Sequence, residues 1–269
     1  DREIKKYYDK GGKDIMLLVL DVGNTHTVIG VFDGDKLRNH WRIATDLRKT
    51  EDEFAMLIKN LLADEAHSFA DIKSVIISSV VPPLIWILKK MFREYCQAEP
   101  LLVNSKIKLN IKIKTDYPEE VGADRIVNAA AVHTLYGNPA IIIDFGTATT
   151  FCALDREGNY IGGAIAPGLE LSSNALFEKT SKLPKVELKK CEYAICRNTV
   201  QAVQSGVYFG HLGLTRELIE RFKQELKGQP IVIATGGYAD LMSKDTSLFD
   251  KVDPLLTLKG LKIIHDLNT

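Results

Sequence analysis

Residues 16–34, MLLVLDVGNTHTVIGVFDG, and residues 140–158, AIIIDFGTATTFCALDREG, are two copies of one pattern. Each opens with an apolar run that reads as a buried strand, turns at Asp-x-Gly, runs on through a second apolar stretch and ends in an acidic-Gly pair suited to a hairpin. Asp21 corresponds to Asp144, Gly23 to Gly146, Asn24 to Thr147 and Thr27 to Thr150. The copies stand more than a hundred residues apart, too far for a solenoid with its short repeat period. The pattern therefore predicts two similar domains, which a length of 269 residues accommodates at ~150 residues per domain.

Strand and helix signals alternate around the two copies, which means an α/β architecture with mixed sheets. In the first half, strands are expected over 37–43 and 75–81. A helix starts near Thr50, where Thr50-Glu51-Asp52-Glu53 resembles a capping box, and another runs over 84–95 after Pro82-Pro83. Short strands over 101–103 and 109–114 follow. The second half has an alanine-rich helix over 121–136, a helix over 169–179, two amphipathic helices over 199–210 and 214–227, and a strand over 231–234 leading into Thr235-Gly236-Gly237. The boundaries expected are 1–15 for a leader or appended remnant before Met16, 16–118 for the first domain, and 119–269 for the second, its last helix free to pack back on the first.

Composition narrows the function. Lys+Arg and Asp+Glu number 35 each, so the formal net charge is zero with histidine neutral, and no basic block offers the phosphate neutralisation that nucleic-acid binding relies on. No apolar run approaches the ~20 residues of a membrane span and no signal-peptide pattern is present, so a cytoplasmic protein is expected. Cys96, Cys152, Cys191 and Cys196 include no CxxC pair and read as isolated thiols. The six histidines, His26, His40, His67, His133, His211 and His265, lack metal-ligand spacing. There is no GxxxxGK[ST] and no GxGxxG opening a strand–helix unit.

The turn Asp21-Val22-Gly23-Asn24-Thr25 has its own chemistry. Glycine lets the backbone approach a ligand closely, neighbouring N–H groups and the Asn and Thr side chains can donate to phosphate oxygens, and Asp21 at the strand end can hold Mg²⁺ directly or through water. A single such turn is as readily a plain Asx-type hairpin. Two of them can clamp a polyphosphate from both sides, which favours phosphate binding.

Two Asp-x-Gly loops followed by a late Thr-Gly-Gly resemble the superfamily of acetate and sugar kinases, actin and the heat-shock chaperone ATPases. The match narrows with Asp21-Val22-Gly23-Asn24-Thr25, Ser78-Ser79-Val80-Val81-Pro82, Glu120-Val121-Gly122-Ala123-Asp124-Arg125, Asp144-Phe145-Gly146-Thr147-Ala148-Thr149-Thr150 and Gly162-Gly163-Ala164-Ile165-Ala166-Pro167-Gly168. In this order and spacing they resemble the type III pantothenate kinases, over about residues 16–268. The resemblance implies two actin-like, ribonuclease H-like domains, each a mixed sheet flanked by helices, with a nucleotide cleft between them. It also implies ATP-dependent phosphorylation of pantothenate to 4'-phosphopantothenate, the first step of coenzyme A biosynthesis.

Carried over by motif, Asp124 resembles the general base. Its alternative is a first-turn aspartate facing the helix dipole. Gly122, Ala123, Asp124, Arg125 and Thr199 match substrate-contacting positions. Arg125 would hold the pantothenate carboxylate, or else pair with Glu119 or Glu120, and Thr199 would touch substrate or simply cap its helix. Asp21, Val22, Gly23, Asn24, Thr25, His26, Thr27, Val28 and Thr147 match the ATP site. Asp144 resembles the ligand of a required monovalent cation, K⁺ or NH₄⁺. A homodimer with the active site near the subunit interface is implied too. One position departs from the family: a substrate-contacting tyrosine is expected three residues before Pro118, where Thr115 stands, while Tyr117 directly precedes the proline. A nucleotide-binding regulator on the same scaffold is the competing class, and an intact Asp124 argues against it.

Overall fold

Strand β1 (Met16–Val22) carries six buried apolar side chains in seven residues, and a strand apolar on both sides must be covered on both. In the computed structural model, which describes residues 16–244 and 246–269, it is the middle strand of a five-stranded sheet. The expected leader 1–15 lies outside the described residues. The order is β3-β2-β1-β4-β5, with β2 (His26–Asp33) and β3 (Lys36–Ala44) antiparallel and β4 (Ile72–Ser79) and β5 (Leu101–Leu102) parallel. A second sheet repeats the plan as β8-β7-β6-β9-β10. Its strands are β6 (Ala140–Phe145), β7 (Ala148–Leu154), β8 (Tyr160–Pro167), β9 (Ile231–Thr235) and β10 (Lys251–Val252). Strand for strand and in direction, the two halves match, as the sequence repeat requires.

The helices complete the layers. Helices α1 (Glu51–Ala63) and α2 (Pro82–Cys96) pack on one face of the first sheet, against Leu18, Leu20, Ile29 and Val75. Thr50 forms the expected capping box with Glu53. The other face is covered by α3 (Ala123–Leu135) and α7 (Leu256–Leu267), through Ile126, Val127, Leu258 and Leu261 against Leu17, Val19 and Ile76. In the second half, α4 (Leu169–Lys179), α5 (Thr199–Leu226) and the short α6 (Ala239–Ser243) cover one face, where Val207, Tyr208 and Met242 meet Ile141 and Ile143. The opposite face packs Ile142 and Leu154 on Ala129, Ala131 and Val132 of α3. Helix α3 is thus shared: it lies between the two sheets. Helix α7 follows β10 as α3 follows β5, and it packs on the first sheet.

Two expected elements change. The two helices over 199–210 and 214–227 are one 28-residue helix, α5. Interior Gly210 and Gly213 cost roughly 1 kcal/mol each, whereas fully burying a Val, Leu or Ile returns about 1.5–3 kcal/mol, and Val203, Val207, Leu212 and Ile219 are all buried. The strand over 109–114 is only an extended segment, joined by one bridge between Ile113 and Tyr160.

Candidate active site

The two strand-end aspartates occupy equivalent places. Asp21 lies opposite Val28 on β2 and Ser78 on β4, and Asp144 lies opposite Thr150 on β7 and Thr235 on β9. Side chains alternate along a strand, so Asp21 shares the face of Leu17 and Val19, and Asp144 that of Ala140 and Ile142. Both faces are covered by α3. The carboxylates therefore meet the start of that helix, where Asp124 stands in the first turn. Its Oδ1 accepts from the Arg125 N–H at 2.8 Å.

All three carboxylates keep some exposure, yet protein atoms crowd them. Burial, then the charges of Asp124 and Asp144, push the Asp21 carboxyl up to about 7. The Ser78 hydroxyl offsets part of that rise, although it forms no geometric hydrogen bond. Burial and then Asp124 raise Asp144 to about 6, against a hydrogen bond donated by the Asn128 side-chain NH₂. Asp124 itself is raised by burial, and the N–H and charge of Arg125 work in the other direction. Asp124 raises both other carboxylates and Asp144 also raises Asp21, the mark of a site short of positive charge.

The two turns face each other. The Thr25 and Thr147 hydroxyls are 2.8 Å apart, joining the first Asp-x-Gly turn to the second. Asn24, Thr25 and Thr147 are exposed and available to a ligand. Val22 and Thr27 point to the other side of the sheet, Val22 into the core and Thr27 onto the Thr45 hydroxyl at 2.9 Å. His26 bonds Arg42 of β3 at 2.9 Å, and Val28 packs among α7-side residues. Helix α4 begins hard against the second turn: a Cβ on Gly168 would lie 2.3 Å from the Thr147 carbonyl oxygen.

Competing explanations for Arg125 and Thr199 recede. Among the described residues Arg125 forms no ion pair with Glu119 or Glu120, and its guanidinium reaches the Tyr160 hydroxyl only at 3.5 Å. The cap of α5 is Asn198, whose side chain accepts from the Gln201 N–H at 2.9 Å, so Thr199 is not needed for it. Thr199 instead lines a separate open cavity of about 640 Å³ with Pro167, Leu176, Val203 and Val207. No hydrogen bond among the described residues joins it to Asp124 or Arg125. Tyr117 is 62% exposed, while the Thr115 hydroxyl is buried with no partner.

The donors suit hard cations, which take oxygen ligands. Asp144 Oδ1 faces a cradle of glycines: a Cβ would lie 2.4 Å from it on Gly236, which has φ +92°, and 3.6 Å on Gly146. Among the described residues no three acidic, imidazole or thiol side chains converge tightly enough to hold a metal by themselves. A cation here would draw on one or two carboxylates plus phosphate oxygens and water, the usual pattern for Mg²⁺ beside a nucleotide.

Several residues at the site carry little signal in the sequence. Arg42 reaches across to the second half, its guanidinium so near the Gly237 backbone that a Cβ there would lie 2.9 Å away. Asn128 Nδ2 donates to Asp144 Oδ2 at 3.0 Å, and Thr257 of α7 donates to Asn128 Oδ1 at 2.8 Å. A lone amide inside an alanine-rich apolar helix was the one visible hint.

Among solved structures, a protein from Campylobacter jejuni described as a Baf family transcriptional activator matches 93% of this chain and 98% of its own, at 19% identity and TM-score 0.58. The activator of 2-hydroxyisocaproyl-CoA dehydratase from Clostridium difficile, with ADPNP bound, matches 94% and 95% at 11% identity and TM-score 0.52. Ethanolamine utilization protein EutJ from Carboxydothermus hydrogenoformans matches 93% and 89% at 14% identity and TM-score 0.53. These likenesses establish the fold, a pair of actin-like α/β domains. The activity comes from the family: its model matches residues 17–221, most of the sequence, and the chain belongs to the type III pantothenate kinases, which phosphorylate pantothenate with ATP.

Proposed function

We propose that the transfer from ATP to pantothenate takes place where Asp21, Asp124 and Asp144 converge between the two facing turns. That convergence, drawn from three separate elements, is the observation that carries the assignment. Asp124 accepts the proton of the primary hydroxyl as the new O–P bond forms and the bond from the γ-phosphorus to the β,γ-bridging oxygen breaks. Burial moves its pKa toward the working pH, which strengthens it as a base. Arg125, which among the described residues forms no ion pair with Glu119 or Glu120, holds the pantothenate carboxylate, with the backbone of Gly122 and Ala123 beside it.

The turn at 21–25 and Thr147 embrace the polyphosphate, with Asn24, Thr25 and Thr147 offering the exposed donors, while His26, Thr27 and Val28 hold the strand behind the turn through Arg42, Thr45 and the α7-side core. Mg²⁺ beside Asp21 and K⁺ or NH₄⁺ beside Asp144, when bound, supply the positive charge that phosphoryl transfer asks for. Thr199 completes the substrate site across a homodimer interface. The apolar cavity along α4 and α5, where Leu176, Val203 and Val207 lie beside Thr199, supports that reading.

The test measures ADP release by purified protein with ATP, Mg²⁺ and pantothenate, with and without K⁺. Pantothenate-dependent ADP release is expected, and its absence sinks the proposal. Asp124→Asn should lower kcat by roughly 10²-fold or more, the scale of general acid–base catalysis. A near-full rate in that variant removes Asp124 from the base role and leaves the family assignment intact.

A further inference from the structure

We propose that Asn128 and Thr257 are positioning residues that aim the Asp144 carboxylate at a monovalent cation, an inference that rests on reading Asp144 as that cation's ligand. Asn128 lies one helical turn after Asp124 on α3 and is only 2% exposed. An amide can present either its oxygen or its NH₂ to a neighbour, and against a carboxylate only the NH₂ is attractive. The carboxylate sets the choice and the Thr257 hydroxyl, able to donate or accept, completes it: with the NH₂ donating to Asp144 Oδ2 at 3.0 Å, Asn128 Oδ1 lies on the α7 side and accepts from Thr257 at 2.8 Å.

With Oδ2 tied down, Oδ1 is left facing Gly146 and Gly236, where no side chain intervenes. The relay crosses three elements, α7 to α3 to β6, and couples the end of the chain to the cleft. Thr257 lies beyond the 17–221 span of the family model, so its part is read from the geometry alone. Groups that orient a metal's ligands typically change its affinity by about 10–100-fold when removed. Loss of the Thr257 donor would leave a buried Asn128 oxygen unpartnered and the amide free to turn.

The experiment compares wild type with Thr257→Val, Thr257→Ser, Asn128→Ala and Asp144→Asn. Two readouts are taken: the K⁺ concentration giving half-maximal activity, and direct titration with Tl⁺ as a K⁺ stand-in followed by thallium NMR, with choline nitrate holding ionic strength in chloride-free buffer. Thr257→Val and Asn128→Ala are expected to raise half-saturation by roughly 10-fold or more in both readouts, with a smaller change in kcat at saturating K⁺. Thr257→Ser, which keeps the donor, should restore the wild-type value. If Asp144→Asn abolishes the K⁺ and Tl⁺ responses while Thr257→Val and Asn128→Ala leave them unchanged, the cation reading stands and the positioning role is overturned. Should wild type respond to neither ion, both fall together.

Discussion

Asp144 and Asp124 pose the same physical problem from two sides, since a carboxylate crowded by protein atoms and other carboxylates resists ionisation. For Asp144 the consequence can be measured as stability. Its pKa is about 6 in the folded chain against roughly 3.9 when unfolded, so between these values the folded state holds a proton that the unfolded state has released. The stabilisation is complete below pH 4 and is lost as pH climbs through 6. Asp144→Asn removes this dependence. In cation-free buffer the variant's thermal midpoint minus that of wild type should grow from pH 4 to pH 7, and added KCl should shrink the gap at pH 7. A pH-independent difference would contradict it. For Asp124 the readout is kinetic: burial should set the acid limb of kcat/KM above the ordinary aspartate range. These aspartates are legible in the sequence because each sits at a fixed place in a turn or helix start. Asn128 and Thr257 are not, because their meaning lies in a contact spanning 129 positions.

Elements were readable where a local signal decides them, as at the Thr50 capping box or the strand–turn–strand units. They were misread where tertiary packing overrides local preference, as in α5. The glycines of the helices make opposite predictions on this basis. A Cβ on Gly260 of α7 would lie 2.3 Å from the Val127 carbonyl oxygen of α3, so the two helices cross only because that side chain is absent. Gly260→Ala should destabilise the protein by about 1–3 kcal/mol, the usual penalty of overpacking. Gly213 of α5 has nothing within 4 Å of the same position, and Gly213→Ala should stabilise by about 0.5–1 kcal/mol through helix propensity. Urea unfolding measures both. Equal effects of the two substitutions would show that the close α3–α7 crossing does not depend on the missing side chain of Gly260.

The two sheets repeat one plan, and that much the duplicated pattern foretold. The sharing of α3 between both sheets escaped it, because an alanine-rich helix with apolar residues on most faces announces burial without naming its neighbours. Balanced charge, 35 against 35, likewise hides a cleft in which three carboxylates gather. What a single chain leaves open is the apolar cavity of α4 and α5, with Leu176 and Thr199 in its wall and the residues next to them in sequence, Phe177 and Val200, 45% and 43% exposed. If a second copy covers it, wild type should sediment near twice 30.0 kDa at assay concentrations. Phe177→Glu with Val200→Glu should shift it to monomer, because burying two carboxylates against an apolar face costs several kcal/mol per ion. The dissociated variant should keep its thermal midpoint within a few degrees, since both side chains are already exposed in the monomer. Its kcat/KM for pantothenate should fall more than its KM for ATP rises, because Thr199 would be withdrawn from substrate while the turns at Asp21 and Asp144 stay whole. A monomeric variant with unchanged kcat/KM for pantothenate would show that each chain builds its substrate site alone.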